Sequence, residues 1–549
     1  MGATHEVTNQ PPPLEDYDVF GTDVALVEAT EREGAGWAAD DLHALGLMAG
    51  SPEAIGWGVA ANRYPPELHT HDRFGHRIDA VTYHPAYHEL MRVAVGHGLH
   101  GAPWAVDRPG AHVARAAGFI VWSQVDAGHG CPISMTYSVV PALRAAPREL
   151  ADEWVPKLVA RAYDPRDVPA RDKAGALAGM GMTEKQGGSD VRANTTRAEP
   201  LGVGDGVHRL TGHKWFCSAP MSDLFLMLAQ APGGLSCFLV PRWLPDGQRN
   251  TGFQLQRLKD KLGNRSNASS EVELDGAVGW LVGEEGRGVR TIIEMVTHTR
   301  LDCVLGAAAT MRQATVQALH HAAHRHAFGA ALADQPLMRN VLADLAIESE
   351  AATVTALRLA RAFDEANRGD AGADAFRRLA TAVGKYWVCK RQPVHVAEAL
   401  ECLGGNGYVE ESPMPRLFRE SPLNGIWEGS GNVICLDVLR AVAREPAVIE
   451  AFLGEVEAVR GADERLDAAV ARIRTELGDV YGIEARARRV VEAMALALQA
   501  SLLIRHSHPA VAEAFCASRL GGDAGLAFGT LPPGTDVGTI VERARPKLG

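Results

Sequence analysis

Two hydrophobic periods run along this chain. From Leu337 onward, Val341, Leu342, Leu345, Val354, Leu357 and Leu359 recur at helical spacing with charges between them. Pro336, just ahead of them, suits the first turn of a helix, where its missing N–H costs nothing. Between about 181 and 290 the pattern shortens to alternating or apolar runs (VHRL, LFLMLA, SCFLV, FQLQ, EVEL) separated by Gly, Pro, Asp and Asn. Those runs predict an antiparallel β domain with one covered face. The uncharged stretch 224–241 is interrupted by Gln230, Pro232, Gly233 and Gly234, so it reads as two strands around a turn and not as a membrane span. Beyond 441 the helical period returns, with Leu466, Val470, Ile473 and Leu477 on one face. The end of the chain, GGDAGLAFGTLPPGTDVG, reads as loop. The expectation is an α+β fold, mostly α: a helical domain over 1–180, a β-barrel-like domain over 181–290, a helical bundle over 291–440 and an extra C-terminal helical domain over 441–549.

Composition adds three constraints. The 549 residues allow several domains, and 46% hydrophobic with 22% charged residues is ordinary for a globular protein. Asp plus Glu total 67 against 55 Lys plus Arg, a formal charge of −12. Such a chain is a poor generic binder of polyanions, and any nucleic-acid role is confined to a local patch. The eight cysteines form no C-x-x-C and no zinc-type spacing with histidine, which implies reduced, mostly buried thiols and no metal site. The opening MGATHEVTNQPPP lacks a basic region followed by an apolar stretch, so no secretory signal is visible and a cytoplasmic, non-membrane protein is expected.

Three glycine-containing segments carry candidate chemistry: GMTEKQGGSD (181–190), HKWFCSAP (213–220) and IWEGSGN (426–432). Singly, each admits a plain turn; equally, glycine-exposed N–H groups beside a Ser hydroxyl cradle a phosphate. None matches the P-loop or the G-x-G-x-x-G fingerprint. Their order across an α-β-α layout is more specific, together with DKLGNRS (260–266), RHAFG (325–329) followed by Gln335, and ECLGGNGY (401–408). These six segments resemble, over about residues 50–440, the acyl-CoA dehydrogenase family of flavoproteins. The opening NQPPPL, the stretch EREGAGW and the extension beyond 441 resemble the branch of that family induced in bacteria by DNA alkylation.

The resemblance implies FAD, with Met182, Thr183, Gly188 and Ser189 wrapping the flavin and its pyrophosphate. Thr183 would bond near the ring and Ser189 near the phosphates. Phe216 and Ser218 stand where the family has Trp and Thr, to cover one flavin face and reach the N5 edge. Arg325, Phe328, Gln335, Glu401, Gly404 and Gly405 correspond to residues that a neighbouring subunit lends to the same FAD, which implies a homo-oligomer, by family expectation a tetramer. Glu401 replaces the usual Gln, so it accepts a hydrogen bond there but cannot donate one. Trp427, Gly429, Ser430 and Asn432 complete the implied cofactor set. Glu428 is the implied catalytic base, since the family's alternative position reads Thr299-Arg300 here and holds no Glu; those two are candidate substrate contacts. The bulk of Trp427 suggests a short or branched, isovaleryl-CoA-like thioester, turned over weakly.

The same branch binds double-stranded DNA through its C-terminal domain. In this chain 441–549 holds 13 Lys plus Arg against 15 Asp plus Glu, a net of −2. Twelve of those 13 are Arg, and Arg460, Arg465, Arg472, Arg474, Arg486, Arg488 and Arg489 fall in one stretch. Arg440, Arg486, Arg488, Arg489 and Arg519 are the candidates for DNA; the competing reading is a solvated, salt-bridged helix surface. Three functions stay open from sequence. One is a DNA-associated FAD protein that protects DNA or inactivates alkylating agents. Another is a metabolic acyl-CoA dehydrogenase served by an electron-transferring flavoprotein. The third is a non-catalytic DNA-binding flavoprotein.

Overall fold

The computed structural model describes residues 4–202 and 206–548. The chain divides into two compact units, one of Glu53–Arg108 and Val125–Asp302, the other of the residues up to Pro52, Pro109–Gln124 and those from Cys303 on.

The first unit is built on a sheet. A hairpin of β1 (Glu67–His71) and β2 (Arg77–Thr82) precedes helices Pro85–Gly96, Gly130–Leu143 and Arg148–Leu158. The main strands follow: β3 (Ala178–Gly181), β4 (Arg197–Pro200), β5 (Val207–Ser218), β6 (Leu224–Ala231), β7 (Gly234–Pro241), β8 (Phe253–Leu258) and β9 (Ser269–Val282). Strands β6, β4, β5, β9 and β7 pair in that order, and β7 pairs back to β6, so the sheet closes on itself; β8 adds to β9 and β3 to β6. Leu210, Cys217, Phe225, Met227, Phe238, Val240, Leu255, Val272 and Leu274 fill its core. The run 224–241 is the expected pair of strands, in register from Leu224↔Pro241 to Ala231↔Gly234. Both strands are buried over most of their length, which is why they read as unbroken apolar runs and not as alternation.

Two local features depart from the sequence expectation. β3 and β4 pair with β6 in parallel, so the sheet is not purely antiparallel. The β1–β2 hairpin lies where only helices and loops were expected. Its strands are short, with Leu68, Ile78 and Val81 too few to make an apolar run; the turn is set by Asp72, whose carboxylate accepts from Phe74 N and His76 N, and Arg77 reaches over to Leu255 O on β8.

The second unit is helical. Its long members are Pro336–Asn367 and Ala371–Glu401, with the part of the Gly288–His324 helix that follows Asp302. Gly431–Arg444, Pro446–Val456 and Ile483–His506 pack on them, and Glu464–Gly478 packs on Ile483–His506. Pro336 is the first helical residue, and Leu342, Leu345, Val354, Leu357 and Leu359 are buried. Leu466, Val470 and Ile473 are buried on one face, while Leu477 in the last turn is half-exposed. The stretch expected as loop, 521–538, carries no helix or strand up to Asp536, and a helix that the sequence did not mark, Val537–Ala544, follows. Asp536 caps it by accepting from Thr539 N and Oγ1, Ile540 and Val541 are buried, and Arg543 pairs with Glu28 and Glu350. Eight residues give too short a period to register beside the Gly- and Pro-rich segment before them.

All eight cysteines are buried. Among the described residues no helix is long and apolar enough to cross a membrane.

Glu455 ties this unit together, accepting from Arg358 at 2.7 Å and from Arg505. Burial alone would raise its pKa, but the two guanidinium groups hold it down to about 2. Its stabilising contribution is therefore complete above about pH 4.5, the unfolded value, and is lost as pH falls toward the folded one. The stability gap between wild type and Glu455→Gln, measured by urea denaturation, is expected to be widest near neutrality and to narrow below pH ~4.5.

Candidate functional site

In the sheet unit, the segment after β3 folds back around Glu184. Its carboxylate is fully buried and receives five donors: Lys214 Nζ at 2.9 Å, Thr196 N, Thr195 N, Thr195 Oγ1 and Gln186 Nε2. Lys214, buried on β5, also donates to Leu228 O on β6 at 2.7 Å. Burial works against the charge, yet Lys214 and the other donors hold the Glu184 pKa at about 2, so the pair is ionic.

This pair fixes the residues implied to touch flavin. Trp215 N donates to Thr183 O at 2.8 Å, Asn194 Nδ2 to Met182 O at 2.9 Å, and Lys185 N to His213 Nε2 at 2.9 Å. A Cβ on Gly188 would lie 2.6 Å from Thr183 Oγ1, so only glycine lets the chain pass so close to that hydroxyl. Met182 and Thr183 are half-buried and Ser189 is exposed. Phe216, 49% exposed, follows Trp215 on β5. Lys259 Nζ sits 3.1 Å from the Trp215 ring centre and 4.7 Å from that of Phe216, while pairing with Glu271. Ser218 Oγ is 3.1 Å from Ser269 Oγ, which accepts from Lys261 at 2.9 Å. The result is an exposed aromatic face with a cation and a hydroxyl beside it, next to a hydroxyl-lined glycine turn. Thr299 and Arg300 are both buried in this unit; the Thr299 hydroxyl donates to Val296 O, and His298 packs edge-on against Trp104 and Tyr137.

In the helical unit, Arg325, Phe328 and Gln335 share one tight turn. His326 and Ala327 pair with Ala331 and Ala330, and Gln335 Nε2 donates to Ala327 O at 3.2 Å. Phe328 holds a left-handed backbone (φ 53°) and is 99% exposed. Arg325 donates to Asn9 O at 2.5 Å, and the Asn9 side chain both donates to His326 O and accepts from His326 N. Asn406 donates to Gln10, so the NQPPP segment straps this turn and the glycine turn of 404–407. Glu401 ends its helix exposed, followed by exposed Gly404 and Gly405, with Gly404 at φ 58°.

The third cluster is the loop 423–432. Trp427 is half-buried and donates through Nε1 to Asn424 Oδ1 at 3.0 Å. Glu428 is half-buried in a left-handed conformation (φ 58°), followed by Gly429 at φ 105°. Ser430, exposed, opens the Gly431–Arg444 helix by accepting from Ile434 N; Asn432 is exposed in its first turn.

The arginines singled out for DNA are not alike. Arg440, Arg488 and Arg489 are exposed, and Arg489 lies 3.7 Å from Glu476. Arg486 is paired with Glu476 and Asp479. Arg488 approaches the start of the Gly431–Arg444 helix, its Nη2 3.2 Å from where a Cβ on Gly431 would stand. Arg519 is turned inward, its side chain 13% exposed and bound to Asp344 and Glu348. Arg472, Glu476 and Arg489 line one groove of about 280 Å³.

Sequence reasoning missed the lysines behind these clusters. Lys259 directly follows the FQLQ strand and Lys261 lies inside DKLGNRS, a segment singled out as a motif but not for this side chain. Lys385, in the middle of the Ala371–Glu401 helix, is buried and donates to the carbonyls of Trp427 and Gly429. Nothing in its neighbourhood along the chain marks it.

Three family models match in order: the adaptive response protein AidB N-terminal domain over residues 9–165, the acyl-CoA dehydrogenase middle domain over 179–277 and its C-terminal domain over 286–443. The chain belongs to the acyl-CoA dehydrogenase family, whose members are FAD-dependent oxidoreductases. Within it, the chain is 48% identical over 514 residues to AidB of Escherichia coli (strain K12), covering 93% of this chain and 94% of that one. It is 31% identical over 422 residues to acyl-CoA dehydrogenase family member 11 of Caenorhabditis elegans, covering 74% and 67%. Among solved structures it resembles Caenorhabditis elegans ACDH-11 in complex with C11-CoA (TM-score 0.86, 27% identity, 94% of each chain) and the Bd2924 apo-form (TM-score 0.82, 28% identity, 90% and 99%).

Because the Glu184–Lys214 pair is buried, removing one partner leaves an uncompensated charge. Glu184→Gln and Lys214→Met are each expected to cost about 3–5 kcal/mol, and the double variant clearly less than their sum. Chemical denaturation of the four proteins of this cycle measures it.

Proposed function

We propose that this protein binds FAD and oxidises an acyl-CoA thioester, with Glu428 as the base that takes the α-proton. The observation that carries the reading is the Glu428 loop: a carboxylate held at one backbone geometry, half-buried, ahead of a helix N-terminus. A base confined in this way has its proton-accepting atoms positioned before substrate arrives. The donor set also fits the cofactor. A pyrophosphate needs converging N–H and O–H donors, and Thr183, Gly188 and Ser189 offer them on a turn that a Cβ at 188 would obstruct. Phe216 offers an exposed ring for stacking, and Ser218 a hydroxyl beside it.

When bound, FAD supplies the two-electron acceptor for a hydride. The chain's own contribution is the proton side. The Cα–H bond breaks toward Glu428, its electron pair forms the Cα=Cβ bond, and the Cβ–H pair departs to the acceptor. Trp427 beside the base supports a short or branched acyl chain; the C11-CoA bound by ACDH-11 marks the competing long-chain case. Arg325, Phe328, Gln335, Glu401, Gly404 and Gly405 are proposed to reach the cofactor of a neighbouring subunit in a tetramer. The full exposure of Phe328 supports a partner surface there. Electrons would then pass to an electron-transferring flavoprotein.

A second reading adds double-stranded DNA as a partner, protected from alkylation or cleared of alkylating agents nearby. It is supported by the likeness to AidB and by exposed Arg440, Arg488 and Arg489. Arg486 and Arg519 support it less, since both already serve carboxylates.

Glu428→Gln is expected to keep bound FAD and to slow flavin reduction by isovaleryl-CoA by about 10²–10⁴-fold. Stopped-flow absorbance with isovaleryl-CoA and undecanoyl-CoA measures both the loss and the chain-length preference; an unslowed variant rejects Glu428 as base. Duplex DNA binding is expected at low salt, to weaken steeply as salt rises, and to drop on Arg440, Arg488 and Arg489→Ala. No binding at low salt by fluorescence anisotropy rejects the DNA reading.

A further inference from the structure

We propose that Lys385 is a positioning residue for the Glu428 carboxylate, a buried ammonium that locks the left-handed turn by binding the carbonyls on either side of it. The inference rests on the reading of Glu428 as base and names what holds that base in place.

Lys385 is 1% exposed and lies in the interior of the Ala371–Glu401 helix. Its Nζ donates to Trp427 O at 2.8 Å and to Gly429 O. Those two carbonyls belong to the residues immediately before and after Glu428. A non-glycine residue at φ 58° is strained by about 1–3 kcal/mol and persists only where its surroundings over-determine it. Two charge-assisted bonds bracketing the strained residue supply such a constraint. The same helix face adds a second brace one and two turns on. Gly425 packs at Cys389 O, and Gln392 Oε1 accepts from Asn424, whose own Oδ1 accepts from Trp427 Nε1.

The choice of lysine is itself informative. Burying an ammonium costs several kcal/mol, and a neutral side chain would fill this space without that cost. Among the described residues its hydrogen bonds go to backbone carbonyls and not to a carboxylate of the kind that pairs with Lys214. A cation fixed on the carbonyls that flank Glu428 holds the loop in one geometry.

The test compares FAD-loaded full-length wild type with Lys385→Met, Lys385→Gln, Lys385→Arg and Glu428→Gln. One readout needs no substrate: amide hydrogen exchange over 426–430, read by mass spectrometry. The others are α-proton exchange of isovaleryl-CoA in deuterium oxide and KM for the same thioester. Lys385→Met and Lys385→Gln are expected to speed loop exchange about tenfold or more. They are expected to slow α-proton exchange about 10²-fold with KM within threefold, and Lys385→Arg to recover most of both. Glu428→Gln is expected to abolish α-proton exchange with loop protection unchanged. Wild-type loop protection in both neutral Lys385 variants overturns the proposal, as does wild-type α-proton exchange in them while Glu428→Gln is inactive. If Glu428→Gln itself still exchanges the α-proton, the assignment of the base has failed, and the positioning role falls with it. If Lys385→Met does not fold, Lys385→Gln and Lys385→Arg decide the matter.

Discussion

The buried pair of Glu184 and Lys214 is the constraint on which the 182–190 turn and its strands depend. Desolvating two charges is costly, and the cost is offset only because Glu184 collects five donors and Lys214 a second acceptor. Those donors come from β5, from the strand entry at 195–196 and from the turn itself. One carboxylate thus binds the 182–190 turn, β5 and β6 into a single arrangement. Thr183, Gly188 and Phe216 inherit their positions from it. Met182 and Thr183 carry no such anchor of their own, since their contacts to the sheet run through backbone carbonyls.

In the helical unit the equivalent task falls to backbone strain and what contains it. Among the described residues, non-glycine positions with positive φ are few, and most lie inside the segments that carried the family resemblance: Asn9, Phe328 and Glu428 in this unit, Ala219 and Asn264 in the sheet unit. Strain concentrated in this way is a mark of positions where geometry matters more than local stability. Each has a visible restraint or neighbour. Asn9 exchanges hydrogen bonds with His326, one residue from the turn that holds Phe328, and Lys385 brackets Glu428. The NQPPP segment therefore acts as a strap on Arg325, well away from it in sequence.

Charge in the C-terminal extension is distributed in the same economical way. Arg465, Arg474, Arg486, Arg505, Arg519 and Arg543 all pair with carboxylates. This accounts for a region rich in arginine that nets −2: much of its basic charge holds helices together. The positive surface left over is small: Arg444, Arg472 and Arg488 are exposed, Arg489 lies 3.7 Å from Glu476, and exposed Arg440 stands just ahead of the extension.

The sequence by itself determined the alternation of helical and strand segments, the strand pair within 224–241, the first turn at Pro336 and the order of the motifs. These are local properties: a hydrophobic period or a glycine followed by hydroxyl residues is written in neighbouring positions. It did not reveal the β1–β2 hairpin or the Val537–Ala544 helix, whose short segments owe their form to distant partners, Leu255 in one case and Glu28 with Glu350 in the other. Nor did it distinguish Arg519 from Arg489, or reveal Lys385. Whether an arginine serves a buried carboxylate or faces water, and whether a mid-helix lysine reaches two carbonyls some 40 residues on, depends on long-range packing. Burial and pairing are properties of the tertiary structure, because the dielectric around a charge and the partners within its reach are set by chain segments that the local sequence does not contain.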